Sequence, residues 1–523
     1  MLVNDFLENS ARMRAKKIAL VCQERRLTYA EIDAAANRLA NFLLSRGIAR
    51  GDRIAIYMDN CVEAVVSIFG VLKAGAVFSV INGSTKADKL AYILNNCQAA
   101  ALITHRRKAL VVAQTQPNVA SLRLTLLAGA RSRGEPNFDA CPFDDALASQ
   151  PPSQPRQSCI DVDLATIIYT SGSTGFPKGV MSTHLMVVTA ATSITQYLEN
   201  SPQDIILDVL PLSFDYGLYQ VLMAFKMGAT VVLENGFAFP YRVVNLLQQE
   251  KVTGFPGVPT IFALLLQIDG LRSMEFPHLR YITNTGAALP VSHIERLRET
   301  FPKARLYSMY GLTECKRVSY LPPEELDRRP DSVGIAMPNT EVYIVDEAGR
   351  RVPPGVVGEL VVRGSHLMRG YWQDPEETAR VLRPGPLLGE RVLYTGDLFR
   401  MDEDGFLYFV GRKDDMIKCR GEKVSPREVE NVLCALDGIV EAAVIGVPDE
   451  LLGEAIWAFV VAREGAHLTE RDILGLCARS MEEHMVPKRV EFWPSLPKTP
   501  SGKVSKTQLR EMVRCVASSA RST

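Results

Sequence analysis

The sequence predicts an α/β protein with a large N-terminal domain of mostly parallel sheets flanked by helices, a small sheet-rich subdomain and a small α+β C-terminal domain. The chain has 523 residues, of which 47% are apolar. This is too long for one hydrophobic core, since cores stop growing near ~250–300 residues. Strand-like and helix-like segments alternate through much of the chain, as they do in βαβ units. Beyond Val342 the alternation gives way to short strands and turns.

The N-terminal alternation begins at Thr28 and Glu31, which have the spacing of a helix-capping box. We expect the helix that follows to run to about Arg46. Apolar periodicity then predicts strands at 53–57, 77–81 and 100–104 and helices at 62–74 and 86–95. Residues 131–160, rich in Pro, Ser, Gln and Arg, indicate a surface excursion. The alternation resumes with a short buried strand, 165–170, and continues to about residue 320.

The last third of the chain predicts two smaller units. Short strands are expected at 342–345, 359–363 and 407–410, followed by helices at 426–435 and 469–482 and strands at 440–447 and 455–462. We therefore predict a large N-terminal domain over 1–411, with subdomains of about 1–165, 166–320 and 321–411. Residues 412–415 are the predicted hinge, and 416–523 the predicted small domain.

Composition disfavours some classes of binding partner and indicates the cellular compartment. Lys and Arg total 59, as do Asp and Glu, and the net charge of +0 argues against a general nucleic-acid or anionic-membrane binder. No apolar run reaches the ~18 residues of a membrane helix, and Met1 to Lys17 lacks the apolar core of a signal peptide. The ten cysteines contain no C-x-x-C pair, as is typical of a reduced cytoplasmic protein.

Residues 169–180 read Tyr-Thr-Ser-Gly-Ser-Thr-Gly-Phe-Pro-Lys-Gly-Val and follow the predicted buried strand. Glycines let backbone N–H groups approach an anion, and the hydroxyls and Lys178 add donors and a positive charge. The loop is therefore a candidate phosphate cradle, although it is not the Walker A pattern. By itself the same composition also suits a flexible surface turn.

A second stretch, 308–314, combines an aromatic face, a hydroxyl and a carboxylate. It reads Ser-Met-Tyr-Gly-Leu-Thr-Glu and ends at Glu314. Magnesium bound to nucleotide phosphates typically uses one or two protein carboxylates, so Glu314 is a candidate metal ligand. In isolation, such a stretch is more often an ordinary turn.

Three further stretches place charged groups on turns. Asp397, in Tyr-Thr-Gly-Asp, is suited to accept hydrogen bonds from ribose hydroxyls. Arg412 lies where the sequence texture changes, as a hinge would, and is a candidate for ribose or phosphate contact. Lys503 ends a Lys-Thr-Pro-Ser-Gly-Lys loop, where an ammonium can stabilise charge that develops on phosphorus. Each of these is, alone, also compatible with a solvated turn.

Together the five stretches resemble the adenylate-forming (ANL) superfamily, which includes acyl- and aryl-CoA synthetases, luciferases and the adenylation domains of peptide synthetases. The resemblance runs from Leu27 to Lys503. It implies ATP and Mg²⁺ as cofactors and a mobile C-terminal domain. The residues that it implies for nucleotide binding are Thr170, Ser171, Gly172, Ser173, Thr174, Gly175, Lys178, Gly286, Ala287, Ala288, Tyr310, Asp397 and Arg412.

The resemblance also implies catalytic roles. Thr313 would contact the α-phosphate, Glu314 would bind the metal, and Lys503 would drive adenylation. Asp414 matches the hinge position. The glycine-containing loop 418–426 matches the loop that enters the site for the second half-reaction.

The acid pocket is expected near Phe214, Asp215, Tyr219, Gly257 and Val258. Many acyl-CoA synthetases carry a histidine where this chain has Phe214-Asp215-Tyr216. In amino-acid-activating members an aspartate of a similar Phe-Asp pair binds the substrate ammonium, although an Asp here also suits a local turn hydrogen bond. We favour a non-amino acid in an apolar pocket, with an aryl, alicyclic or medium-chain acid as the expected substrate.

The acceptor is expected to be the CoA thiol. A carrier-protein phosphopantetheine remains open, as does an amine acceptor such as an amino acid, as in ligases of the coronafacate type. A protein that kept the nucleotide fold without turnover is the alternative from another class. The essential residue types of all five motifs are present, which disfavours it.

Overall fold

The structure is a computed structural model that describes residues 1–519 apart from 131–135, 137, 157–158, 171–176, 421, 450–451 and 500–501. The α-helices it contains are α1 Asp5–Arg14, α2 Tyr29–Ser45, α3 Val62–Lys73, α4 Ala87–Asn96, α5 Ala109–Thr115, α6 Phe143–Ala148, α7 His184–Tyr197, α8 Asp215–Met227, α9 Pro240–Gln249, α10 Pro259–Leu265, α11 Val291–Thr300, α12 Pro375–Val381, α13 Pro426–Cys434, α14 Glu470–Ser480 and α15 Lys506–Ser519.

The strands divide at about residue 320 into those of the large α/β part and those of the smaller units. The first group is β1 Ile18–Cys22, β2 Arg25–Thr28, β3 Arg53–Tyr57, β4 Val77–Ile81, β5 Ala101–His105, β6 Leu124–Ala128, β7 Cys141–Pro142, β8 Leu164–Thr170, β9 Lys178–Thr183, β10 Ile205–Asp208, β11 Thr230–Leu233, β12 Gly254–Gly257, β13 Tyr281–Asn284, β14 Arg305–Tyr310 and β15 Ser319–Tyr320. The second group is β16 Ile335–Ala336, β17 Thr340–Val345, β18 Gly358–Gly364, β19 Gly370–Tyr371, β20 Leu382–Pro384, β21 Arg391–Met401, β22 Leu407–Arg412, β23 Ile417–Cys419, β24 Glu422–Val424, β25 Ile439–Asp449, β26 Gly453–Ala462 and β27 Arg489–Phe492.

Two large sheets form the N-terminal part. In the described chain one has the order β16-β15-β14-β13-β12-β10-β11-β1-β2 and the other β19-β9-β8-β4-β3-β5-β6-β7. The centres of both sheets are parallel. The first sheet is antiparallel at both ends, whereas the second is antiparallel at its β19-β9-β8 end and parallel at β7. Helices between them share one core, in which the rings of Phe69 and Phe225 stack at 5.1 Å and Tyr29 meets Phe225 edge-on at 5.4 Å. Burial of this apolar surface is the main stabilising contribution.

The smaller units are antiparallel sheets. One has the order β17-β18-β21-β20, with β22 on β21, and the other β24-β23-β26-β25, with β27 added in parallel to β26. Helices α13 and α14 pack with the latter sheet around a separate apolar core. The predicted fold class is therefore confirmed.

Most predicted elements occur within a few residues of their expected bounds. The capping box at Thr28 is present, with the Thr28 side chain accepting from the Glu31 N–H and the Glu31 carboxylate accepting from the Thr28 N–H. The expected surface excursion at 131–160 was wrong in part. Strand β7 extends one sheet there, and α6 buries Phe143 and Ala146, because these apolar side chains pack against the core.

Among the described residues, none of the helices combines the length and apolarity needed to cross a bilayer.

Candidate functional site

The candidate site lies where the carboxyl ends of β12, β13 and β14 meet the first turn of α8. Parallel neighbours end at the same edge of a sheet, which is where ligands bind in open α/β folds. Gly257 ends β12, Gly286 follows β13, and Thr313 and Glu314 follow β14. Residues far apart in the sequence are therefore brought to one edge.

The predicted phosphate loop connects β8 to β9, an antiparallel pair in which Thr170 is opposite Lys178. Its central residues, Ser171, Gly172, Ser173, Thr174 and Gly175, lie outside the described residues. The Lys178 ammonium pairs with Glu377 of α12 at 2.6 Å and lies 5.6 Å from the Tyr371 ring centroid. A hairpin, rather than a strand-to-helix turn, therefore presents this loop.

The Glu377 carboxylate binds two cations. Besides Lys178, it pairs with Arg380, one turn later on α12, at 2.7 Å. Hydrogen bonds from Arg380 and then Lys178 lower the pKa of Glu377 to about 2, against burial, which opposes the shift. Lys178 is thus orientated by a carboxylate that stays ionised at neutral pH.

Glu314 is positioned by two contacts. One carboxylate oxygen accepts from the Tyr371 hydroxyl at 2.8 Å, and the Glu314 carbonyl accepts from the Met368 N–H at 2.6 Å. The Thr313 carbonyl accepts from the buried Lys316 ammonium at 2.6 Å. Hydrogen bonds at both Thr313 and Glu314 therefore fix the turn after β14.

Asp397 is buried at 5% exposure and is bound from two directions. The Tyr310 hydroxyl donates to one oxygen at 2.6 Å and Arg412 Nε to the other at 3.1 Å. Burial raises the pKa of Asp397, and the Arg412 charge opposes that rise. The Tyr310 ring also packs edge-on against Phe399 at 4.8 Å, which leaves this aromatic side chain fixed beside the carboxylate.

Lys503 reaches into the same site from the C-terminal domain. A methyl group built on Gly286 would lie 3.0 Å from Lys503 Cε, and the ammonium lies 5.6 Å from the Phe214 ring centroid. The Lys503 loop is anchored by the Thr260 hydroxyl, which donates to the Gly502 carbonyl at 3.0 Å. Two parts of the chain thus meet at this lysine.

Charges of both signs act on the Lys503 ammonium. Burial lowers its pKa, and Asp215 is the largest opposing influence. Arg412 lowers the pKa further, whereas Asp397 and Glu314 raise it. The lysine therefore depends on nearby carboxylates for its charge.

Asp215 begins α8 and is 7% exposed. Burial raises its pKa, while Lys316, Arg317 and Lys503 lower it. One turn later on α8, the buried Tyr219 hydroxyl lacks a hydrogen-bond partner within the described chain. The charges of Asp215 and Arg317 both act on that hydroxyl.

The remaining predicted residues differ in their burial and contacts. Ala287 accepts from the Asn284 side chain at 3.0 Å and is exposed beside the half-buried Ala288. Val258 is buried and lies beneath Gly502. Asp414 is exposed after β22, and Gly421 lies outside the described residues.

Sequence reasoning missed several residues of the site. Tyr371 and Glu377 belong to a Gly-Tyr-Trp-Gln-Asp-Pro-Glu-Glu segment whose proline and aspartate indicate a helix start, and Arg380 follows three residues after it. Lys316 and Arg317 follow Glu314 after a single residue, Cys315, and that proximity was the available signal. Both cations are buried and act on the Asp215 carboxylate, charges that the expectation of an apolar pocket did not include.

Gly286→Ala should impair the adenylation that the sequence resemblance implies. Gly286 has φ +87°, a conformation that costs alanine about 1–3 kcal/mol, and the new methyl group would displace Lys503. We expect the acid-dependent pyrophosphate release rate to fall about tenfold or more, since small misplacements are costly. Gly51→Ala is the matched control, because Gly51 has φ +83° with no neighbour near its Cβ position. Equal activity losses in both variants would contradict the Lys503 contact.

Comparison with known proteins identifies the architecture around this site. A family model described as AMP-binding enzyme matches residues 7–372, and one described as AMP-binding enzyme C-terminal domain matches 428–503. A long-chain-fatty-acid–CoA ligase of Bacillus subtilis (strain 168) is 31% identical over 97% of this chain and 94% of its own length.

Two solved structures resemble the whole chain. The anthranilate CoA ligase AuaEII in complex with anthranoyl-AMP has a TM-score of 0.92 at 28% identity, covering 99% of this chain and 98% of that one. ATP-bound MatB from Rhodopseudomonas palustris has a TM-score of 0.87 at 30% identity, covering 98% of this chain and 99% of that one.

Proposed function

The chain belongs to the AMP-binding enzyme family, and from that premise we propose that it is an ATP-dependent carboxylic acid ligase which transfers an activated acyl group to the thiol of CoA. The observation that carries the proposal is the position of Lys503. This C-terminal residue reaches Gly286 and Phe214 at the edge of the large sheet, among Asp215, Asp397 and Glu314. This grouping of charges supports the proposal of nucleotide chemistry at this edge of the sheet.

In the first half-reaction a carboxylate oxygen of the acid attacks the α-phosphorus of ATP. The new P–O bond replaces the bond to the β-phosphate bridging oxygen, and pyrophosphate leaves with that electron pair. Negative charge on the equatorial oxygens is stabilised by the Lys503 ammonium and by donors of the loop that Lys178 ends. Asp397 holds the ribose hydroxyls, with Arg412 and Tyr310 fixing its orientation.

Glu314 is the residue we assign to Mg²⁺. The described residues contain no cluster of three or more side chains that could hold a metal alone. One Glu314 oxygen is bound by Tyr371, which leaves the other available. A single carboxylate fits magnesium that is shared with nucleotide phosphates. Such an ion supplies charge neutralisation when bound.

In the second half-reaction the CoA sulfur attacks the acyl carbon of the adenylate. AMP leaves with the electron pair of the broken C–O bond, and the thiol proton passes to solvent or base. We infer that the C-terminal domain, over 416–523, rotates about Asp414 to withdraw Lys503 and admit the 418–426 loop. Asp414 is exposed, and the neighbouring Asp415 binds Arg510 of α15 at 2.8 Å.

A panel of acids tests the function. Pyrophosphate release should appear with at least one acid and ATP, and AMP and acyl-CoA should accumulate only when CoA is added. Parallel reactions with amino acids or without acceptor distinguish a thiol from an amine acceptor. Absence of pyrophosphate release with every acid, despite ATP binding, would overturn the proposal.

An amino-bearing acid is the second candidate substrate, because Asp215 places a carboxylate, 7% exposed, at the site. An ammonium or ring amino group would satisfy it. If so, matched acids with and without an amino group should differ in pyrophosphate release, and Asp215→Asn should remove the difference. Loading of a carrier protein is tested in the same panel with phosphopantetheine carriers.

A further inference from the structure

Thr260 is a residue of the large domain whose side chain contacts the loop that carries Lys503. Its hydroxyl donates to the Gly502 carbonyl at 3.0 Å, and a carboxylate oxygen of Glu441 lies 3.4 Å from the same hydroxyl. Both acceptors follow the predicted hinge at 412–415, whereas Thr260 comes long before it in the chain. One hydroxyl therefore bridges the two parts of the chain that the proposed rotation would separate.

The position of Thr260 in its helix directs the hydroxyl outward. Helix α10 begins at Pro259, so the residue one turn before Thr260 is Pro256, which belongs to β12 and not to the helix. A threonine inside a helix usually donates to the carbonyl one turn earlier. Thr192 on α7 does so, to the Val188 carbonyl at 2.7 Å. The Thr260 hydroxyl instead donates across to the C-terminal domain.

Of the two acceptors, the Gly502 carbonyl is the better placed. It is nearer to the Thr260 hydroxyl, at 3.0 Å against 3.4 Å, and the Glu441 carboxylate is already bound by the Lys498 ammonium at 3.3 Å. Gly502 also packs against the large domain, since a methyl group built on it would lie 3.5 Å from Val258 Cγ2. The hydrogen bond thus fixes a point at which the two domains are in contact.

Gly502 immediately precedes Lys503, and hydrogen bonds within the loop connect the two residues. The Thr499 N–H donates to the Lys503 carbonyl at 2.7 Å, and the Gly502 N–H donates to the Thr499 carbonyl at 2.9 Å. The Lys503 N–H in turn donates to the Thr499 hydroxyl at 3.2 Å. Because the loop is closed in this way, fixing the Gly502 carbonyl also fixes the backbone from which the Lys503 side chain extends.

We propose that Thr260 is a positioning residue for adenylation, which holds the Lys503 ammonium in the site through the Gly502 carbonyl. The inference rests on the proposed function and deepens it, because it adds a large-domain group that retains the C-terminal domain in its first orientation. Thr260 acts through Lys503 and not on the reacting atoms. Its hydrogen bond must break before Lys503 withdraws, so Thr260 should assist the first half-reaction and not the second.

Thr260→Val tests the proposal, because valine keeps the branched shape and lacks the hydroxyl. We expect kcat for acid-dependent pyrophosphate release to fall about tenfold with little change in KM, since a group that acts only in the transition state has been misplaced. Transfer from a preformed adenylate to CoA should be unchanged or faster. Thr260→Ser, which keeps the donor, should stay close to wild type.

Thr192→Val is the matched control, because it removes a threonine hydroxyl that donates within its own helix. It should leave both half-reactions at wild-type rates. Wild-type adenylation by Thr260→Val, or equal losses of the two half-reactions in that variant, would overturn the inference.

A double-mutant cycle with Lys503→Ala separates positioning from a general structural effect. If Thr260 acts through Lys503, Thr260→Val should cause no further loss of adenylation in the Lys503→Ala background. The same loss in both backgrounds would show that Thr260 acts independently of the lysine, and would overturn the inference.

Chemical acylation of lysines, measured by peptide mass spectrometry with ATP present, tests the contact without turnover. Lys503 should react faster in Thr260→Val than in wild type, whereas Lys488, which pairs with Asp449 elsewhere on the C-terminal domain, should react equally in both. That result without pyrophosphate release by the wild type would support the Thr260 contact and overturn the proposed ligase activity. Equal acylation of Lys503 in both proteins would overturn the inference.

Discussion

Replacing Lys503 with alanine should reduce acid-dependent pyrophosphate release by about 10²–10³-fold, the effect of removing one preorganised donor from a developing charge. Its ammonium sits beside Phe214 and Gly286, where no other described cation makes the same contacts. Transfer from a preformed adenylate to CoA should remain close to wild type, because the proposed rotation withdraws Lys503 before that step. Single-turnover assays of the two half-reactions measure this separation.

Lys498→Ala is the matched control. Lys498 belongs to the same loop but pairs with Glu441 at 3.3 Å, away from Gly286. Its loss should leave both half-reactions within a few-fold of wild type, since a partly exposed ion pair contributes little. An equal loss of both half-reactions in Lys503→Ala would contradict the assigned role.

Lys503 also predicts a pH dependence. Burial lowers its pKa, so the protonated, active form should be lost as pH rises through a value below that of an exposed lysine. The alkaline limb of the adenylation rate should therefore begin earlier than a lysine's usual range.

Replacing Glu314 with glutamine should have the second large effect. The substitution keeps an oxygen that can accept from the Tyr371 hydroxyl, so the local fold is retained, but it removes the charge assigned to Mg²⁺. We expect adenylation to fall about 10²-fold or more, accompanied by a raised magnesium requirement. A magnesium titration of the initial pyrophosphate release rate measures both.

Tyr371→Phe distinguishes charge from positioning. It removes the 2.8 Å hydrogen bond to Glu314 but leaves the carboxylate in place. Its effect should be about 10–100-fold at most, as is usual for groups that orientate a metal ligand. If Tyr371→Phe and Glu314→Gln were equally inactive at saturating magnesium, Glu314 would act through Tyr371 rather than through a metal.

Local patterns predicted the fold class, and the family resemblance was visible in short motifs. The capping box at Thr28, the alternation of strands and helices, and the five motif stretches are short-range features, and residue type and spacing specify them directly. The prediction of a surface excursion at 131–160 was partly wrong, because Phe143 and Ala146 become buried only against elements that are distant in the sequence.

The sequence by itself determined that this chain belongs to a nucleotide-dependent, adenylate-forming class, because glycines, hydroxyls and charges on short loops carry that chemistry locally. Tertiary structure decided what surrounds Asp215. Lys316 and Arg317 after β14, Lys503 from the C-terminal domain and Tyr219 on α8 meet there only through packing. The surroundings of Asp215, which composition predicted to be apolar, therefore include buried charges, since the electric field at a side chain depends on its neighbours in space and not along the chain.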